Sequence, residues 1–144
     1  MYLKYNIPET LLMAVRVLVV DDEPVVLRIV TALLEKNGYD VLPASGPRQA
    51  LEAIWTKRPI DVVLSDVTMP EMRGTDLIRE VLRILPQMAC ILMTGGGCYP
   101  VDVPEGVSFL SKPVYTPSLI AAIEKAIALS TDSTQDSDHE PSTA

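Results

Sequence analysis

The sequence predicts an α/β fold, a doubly wound parallel sheet of five strands with helices on both faces. Three observations lead there. Short apolar runs alternate with stretches of helical periodicity from Val15 to Leu129, the order that lays parallel strands side by side under crossover helices. The runs VRVLVV, DVVLS and MACILMT are almost continuously apolar, as strands covered on both faces must be. A chain of 144 residues, 48% of them hydrophobic, suffices for one domain with a real core.

Residues 1–13 show no clear period and read as an N-terminal extension or linker. Tyr2, Leu3, Tyr5 and Ile7 suggest a short extended piece stopped by Pro8, with a short helix around Thr10–Met13. The folded domain is expected over 14–130. Val15–Val20 is its first strand and runs straight into Asp21-Asp22-Glu23. Pro24 suits the first turn of a helix, where its missing N–H costs nothing. From Val25 to Asn37, Val26, Ile29, Val30, Leu33 and Leu34 make an apolar stripe, and Gly38 is the expected C-terminal cap. Asp40–Ala44 is a weaker strand. Ser45 is expected to cap a helix from Pro47 to Lys57 that turns Ala50, Leu51, Ile54 and Trp55 inward, and Pro59 ends it. The third strand is Asp61–Ser65.

Thr75–Leu85 is the next helix, with Leu77, Ile78, Val81, Leu82 and Leu85 on one side and Pro86 as its stop. Met88–Thr94 is the fourth strand. The following GGGCYPVDVPEGVS carries three adjacent glycines and two prolines, which oppose a regular helix, so the fourth helix should be missing or reduced to a turn. Val107–Leu110 is a short fifth strand. Thr116 and Pro117 are a cap-plus-first-turn signal for a last helix to Leu129, buried through Leu119, Ile120, Ile123 and Ile127. Residues 131–144 are polar and aperiodic and are expected to be a disordered tail. The only histidine, His139, lies there.

Composition excludes several classes of function. A formal net charge of −7 and the lack of a basic stripe disfavour nucleic acid as a partner. No apolar run approaches a membrane span, and the start of the chain lacks a signal peptide's charged beginning and unbroken apolar core. Cys90 falls in an apolar strand and Cys98 in a loop, without metal-ligand spacing. That usage points to a reducing cytoplasm, with Cys90 a small core hydrophobe.

The chemistry gathers at the strand ends. The first strand delivers Asp21 and Asp22, the third Asp66, the fourth Thr94 and the fifth Lys112. In a parallel sheet all these ends share one rim, where ligands of open α/β sheets bind. Clustered carboxylates repel, and their pKa values rise unless a cation intervenes. A set of carboxylates and carbonyls suits a hard ion, Mg²⁺ better than Ca²⁺. Lys112 adds a point charge for an anion, and Thr94 a hydroxyl donor. Taken singly, the acids could merely favour a helix N-terminus and Lys112 could be an ordinary ion pair. Coincidence at four strand ends is a weaker account.

VLVVDDEP, DVVLSDVTMPEMRG, ILMTG and FLSKPV, in that order, resemble the receiver domain of bacterial two-component response regulators, over Ala14–Leu129. The resemblance implies a flavodoxin-like sheet of strand order 2-1-3-4-5. It implies Asp66 as phospho-acceptor, with Asp22 and Asp66 binding Mg²⁺ directly, Asp21 acting through a water and the Thr68 backbone carbonyl completing the protein's share. Thr94 would contact the phosphoryl group, Lys112 would pair with it, and Phe109 stands where the family has its rotating aromatic. A cis Lys112–Pro113 bond is implied as well. The donor would be a phosphohistidine of a sensor histidine kinase or phosphotransfer protein, and the signal would pass to an output protein through contacts. The chain would be an acceptor, self-phosphorylating and dephosphorylating at most, and not an enzyme.

The chain departs from the family between Thr94 and Lys112. The fourth helix commonly contributes to the dimerisation or output surface, so that surface should be altered here. No DNA-binding domain is expected after Leu129. The chain would be a stand-alone regulator or a receiver from a larger protein. MYLKYNIPE resembles the last strand of a histidine-kinase ATPase domain and VSFLSKPV resembles receivers of hybrid kinases, which favours the second origin. Two other readings compete. A haloacid-dehalogenase-like phosphatase also uses an Asp at a strand end with Mg²⁺, but expects a second acid where Thr68 stands. A degenerate receiver acting only as a binding module would not need the acids, Thr94 and Lys112.

Overall fold

The computed structural model describes residues 14–95 and 99–138, with side chains described as far as Ser130. The elements are β1 (Arg16–Val20), α1 (Pro24–Lys36), β2 (Asp40–Ala44), α2 (Pro47–Thr56), β3 (Val62–Asp66), α3 (Gly74–Ile84), β4 (Ala89–Thr94), β5 (Ser108–Ser111) and α4 (Thr116–Asp138). All five strands pair in parallel in the order β2-β1-β3-β4-β5. Pro43, which cannot donate to a ladder, lies in β2 at the sheet's edge. No helix occurs between β4 and β5 among the described residues, as the glycines and prolines predict.

Side-chain alternation splits the core into two layers. Val17, Val19, Leu64, Ile91 and Leu110 meet α1 through Val30 and Leu34 and α4 through Leu119 and Ile123. Leu18, Val20, Val63 and Leu92 meet α2 through Ile54 and α3 through Leu77, Ile78 and Val81. The three inner strands are therefore covered on both sides, which is why their sequences do not alternate. Gly38 closes α1 at φ +89°, with its N–H on Glu35 O at 3.1 Å and the Tyr39 N–H on Leu34 O at 3.1 Å. This double bond pattern satisfies carbonyls that the helix end would otherwise leave bare.

Four expectations are corrected. Trp55 is 64% exposed rather than inward, with the Arg58 guanidinium 6.0 Å from its ring centre; α2 buries Ala50, Ala53 and Ile54, and one further helical step carries position 55 off that face. Ile29 is 51% exposed, so the buried stripe of α1 is narrower than its apolar pattern. Gly46, not Ser45, caps α2, and no side chain bonds the helix end. Gln49 Oε1 instead accepts the Ser45 backbone N–H at 2.6 Å and its hydroxyl at 3.3 Å. The last helix outruns its expected end at Leu129: α4 extends to Asp138, and no glycine or proline interrupts residues 118–138. The readings of residues 1–13, of Gly96, Gly97 and Cys98, and of 139–144 with His139 lie outside the described residues.

Cys90 is buried on the α3 side of β4, and burial pushes its thiol up to about 12 because the thiolate would lose its hydration. The native protein should leave Cys90 unmodified by a thiol reagent at pH 8. Labelling, followed on the Cys90 peptide by mass spectrometry, should appear only across the urea unfolding transition.

Candidate functional site

Backbone ladders carry the rim residues into place. Val20 stands opposite Ser65, Asp66 opposite Met93, and Thr94 opposite Ser111. Pairing continues one step past the strands: Asp21 N–H donates to Ala44 O at 3.1 Å, Val67 N–H to Met93 O at 3.1 Å and Lys112 N–H to Thr94 O at 2.7 Å. The side chains at positions 21, 66, 94 and 112 thus project from held backbone.

Lys112 Nζ lies 3.2 Å from Asp21 Oδ2 and 3.2 Å from Asp66 Oδ1. Asp21 is fully buried and Asp66 is 7% exposed. Asp21, Asp22 and Asp66 each offer a carboxylate oxygen, all within 4.8 Å of one another, with Asp22 the most open of the three. The second oxygen of Asp21 accepts the Glu23 N–H at 2.9 Å, so Asp21 also steadies the entry to α1. Burial raises the pKa of Asp66; the Lys112 charge opposes this and the Asp21 charge adds to it, while the Thr68 backbone bond favours the ionised form. Burial would lower Lys112, but Asp21 and Asp66 together outweigh it and raise its pKa. The ammonium is thereby fixed in its charged form.

These residues fit a divalent cation on their donor chemistry. Three carboxylates face one ammonium, so the cluster keeps excess negative charge, and hard oxygen donors match Mg²⁺. The Thr94 hydroxyl is buried and has no hydrogen-bond partner, a polar orphan of the kind that a ligand satisfies. Thr68 is exposed in the loop after β3 and joins the site through its backbone. Phe109 stands opposite Leu92 in the ladder. It is 38% exposed and meets Tyr99 edge to face, with ring centres 5.3 Å apart. Arg73 is surface, 3.4 Å from Asp76. Lys112–Pro113 is cis, as is Arg58–Pro59.

Gly74 is a residue that periodicity does not single out. A Cβ there would lie 2.1 Å from the Asp66 carbonyl oxygen and 3.0 Å from Val67 Cα. The Gly74 N–H donates to Val67 O at 2.7 Å, so the loop folds back tightly on the acceptor's own backbone, and only glycine fits. The signal was the glycine closing DVVLSDVTMPEMRG, legible only once the approach distance is known.

A parallel sheet with a carboxylate trio, a bridging lysine and a buried hydroxyl at its C-terminal rim defines a class of signalling module. Residues 17–124 match the response regulator receiver domain family, and the chain belongs to that family. It is similar to the transcriptional regulatory protein GlrR of Escherichia coli (strain K12), at 35% identity over 83% of this chain and 28% of that protein. It is also similar to the chemotaxis protein CheY of Thermotoga maritima, at 33% identity over 78% of this chain and 98% of that protein. A response regulator receiver domain protein from Clostridium thermocellum superposes with a TM-score of 0.68 at 34% identity, covering 79% of this chain and 94% of that one. The chain therefore spans under a third of GlrR but nearly all of CheY. Among the described residues no helix is long and apolar enough to cross a membrane.

Two outcomes are expected. Gly74→Ala should lower the unfolding free energy by about 1–3 kcal/mol, the range for forcing extra volume into packed structure, read by urea denaturation. Because Asp66 is raised, the native state holds its proton where the unfolded chain has lost it. Native stability therefore falls as pH climbs from the ordinary carboxylate range through the raised value. Without metal, Asp66→Asn should be more stable than the parent at pH 7, with the gain shrinking toward acid pH in thermal melts at several pH values.

Proposed function

We propose that this receiver accepts a phosphoryl group on Asp66. The observation that carries the reading is Lys112 Nζ held 3.2 Å from both Asp21 and Asp66 inside a carboxylate trio. A carboxylate oxygen of Asp66 attacks phosphorus, the P–N bond of a phosphohistidine breaks, and the imidazole leaves as an aspartyl phosphate forms. Such transfer needs in-line positioning and charge neutralisation more than covalent help. Asp21, Asp22 and Asp66, with the Thr68 backbone carbonyl, are the residues that would hold Mg²⁺. When bound, the ion supplies charge neutralisation on the transferred oxygens.

Lys112, 3.2 Å from Asp66, would pair with a phosphoryl oxygen, and the unpartnered Thr94 hydroxyl would donate to one. Thr94 moving toward the phosphoryl group would leave space that Phe109 enters, shifting a two-state equilibrium at β5. Phe109 carries no hydroxyl to strand in the interior. The donor is a sensor histidine kinase or phosphotransfer protein in the cytoplasm, and an output protein reads the altered β5 surface. A phosphatase of the haloacid-dehalogenase-like type has less support, since Thr68 stands where its second acid is expected.

With Mg²⁺ and acetyl phosphate, intact-mass measurement should find the protein heavier by one phosphoryl group. The gain should vanish in Asp66→Asn and on chelation, and slow about a hundredfold in Lys112→Met, the scale for losing one charge-stabilising donor. Unmodified parent protein, or equal modification of Asp66→Asn, overturns the assignment.

A further inference from the structure

Tyr99 lies in the connection between β4 and β5, where no helix occurs among the described residues. Its ring meets Phe109 edge-on, with planes at 89°, and its hydroxyl is 3.0 Å from Ser111 Oγ. Phe109 and Ser111 are alternate residues of one strand and point to the same face. Leu110 between them turns into the opposite core layer. One tyrosine thus clasps the two outward side chains of β5.

Both ends of this clasp are anchored. Arg79 of α3 pairs with Asp102 at 2.9 Å and with Asp76 at 2.9 Å, and Val103 and Val107 pack against the α2–α3 core layer. On the other side, Ser111 stands opposite Thr94 in the ladder, and the next residue, Lys112, donates its N–H to Thr94 O. Tyr99 therefore touches the aromatic ring and the residue beside the site's lysine at once.

We infer that Tyr99 is a positioning residue, a latch that holds Phe109 outward in the helix's stead and sets how readily the site takes its phosphoryl-accepting arrangement. This rests on the reading of Asp66 as acceptor with Phe109 coupled to it. The ring contact and the hydrogen bond together hold the latched state by about tenfold.

The test measures the acetyl phosphate reaction rate with Mg²⁺ and the Phe109 χ1 populations from three-bond NMR couplings in metal-free protein. Tyr99→Ala should react about tenfold faster than the parent, and Tyr99→Phe, which keeps the ring and loses the hydroxyl, about threefold faster. Ser111→Ala should match Tyr99→Phe, and combining the two should add nothing, because both remove one hydrogen bond. Parent-like rates in Tyr99→Ala overturn the latch, as does an unchanged Phe109 χ1. If the parent protein takes no phosphoryl group, the acceptor reading fails by itself. The latch is then judged on Phe109 χ1 alone, which must shift in Tyr99→Phe and Ser111→Ala.

Discussion

The structure depends on one ammonium group. Asp21 and Asp66 are buried at the end of the sheet, and buried carboxylates persist only when paired or hydrogen-bonded. Lys112 reaches them from the far side of β4. Since β4 stands between β3 and β5, the two flanking strands are about 10 Å apart at ordinary strand spacing. The gap calls for a long side chain carrying a compact charge, which lysine supplies better than arginine's broad fork. The backbone at its root is tied to the end of β4, where the Lys112 N–H donates to Thr94 O at 2.7 Å. The charge pairing therefore fixes the register of the fifth strand on the fourth as much as it serves the site.

That pairing also explains how β5 keeps its place with a helix, α4, on one face only among the described residues. Residues 95–107 join two parallel strands with the dozen or so residues that such a connection requires. The strand is four residues long, and of its side chains only Leu110 is buried. Apolar burial alone would hold it weakly. Its ladder to β4, the Arg79–Asp102 pair beneath the connection and the Lys112 contacts at its end share the task. Elements held by few buried contacts open most easily, which is the property a strand needs if it is to report the state of the rim.

Most of this was legible before any coordinates. Strand identity followed from apolar runs, and the rim followed from topology, because parallel strands put positions 21, 66, 94 and 112 on one side whatever their separation in sequence. What periodicity could not supply were features set by contact. Gly74 is required by a 2.1 Å approach to the Asp66 carbonyl, a distance with no local signature. Tyr99 sits in a segment whose composition says only that no helix forms. Trp55 was assigned inward by its hydrophobicity, yet the face it occupies lies outside the buried arc of α2. The end of α4 lies beyond Leu129 for the converse reason: the apolar stripe stops there, while no helix breaker intervenes before Asp138.

The electrostatics of the rim and its proposed chemistry are two sides of one imbalance. Three acids against one lysine leave a cluster in which burial raises the Asp66 pKa despite the ammonium beside it. Every added positive group is then bound in proportion to the repulsion it relieves, so a site that taxes the fold gains affinity for a cation. Converting the Asp66 carboxylate to an acyl phosphate moves the negative charge outward from the carboxylate to the phosphoryl oxygens. The partners that suited the first arrangement no longer suit the second. On the proposed reading Lys112 would follow the charge, and the Thr94 hydroxyl, without a partner before, would acquire one. A difference in contacts between two states is what shifts a conformational equilibrium. Here that difference would arise at the two residues that join the end of β4 to the end of β5 by a 2.7 Å hydrogen bond, beside the strand whose outward side chains Tyr99 contacts.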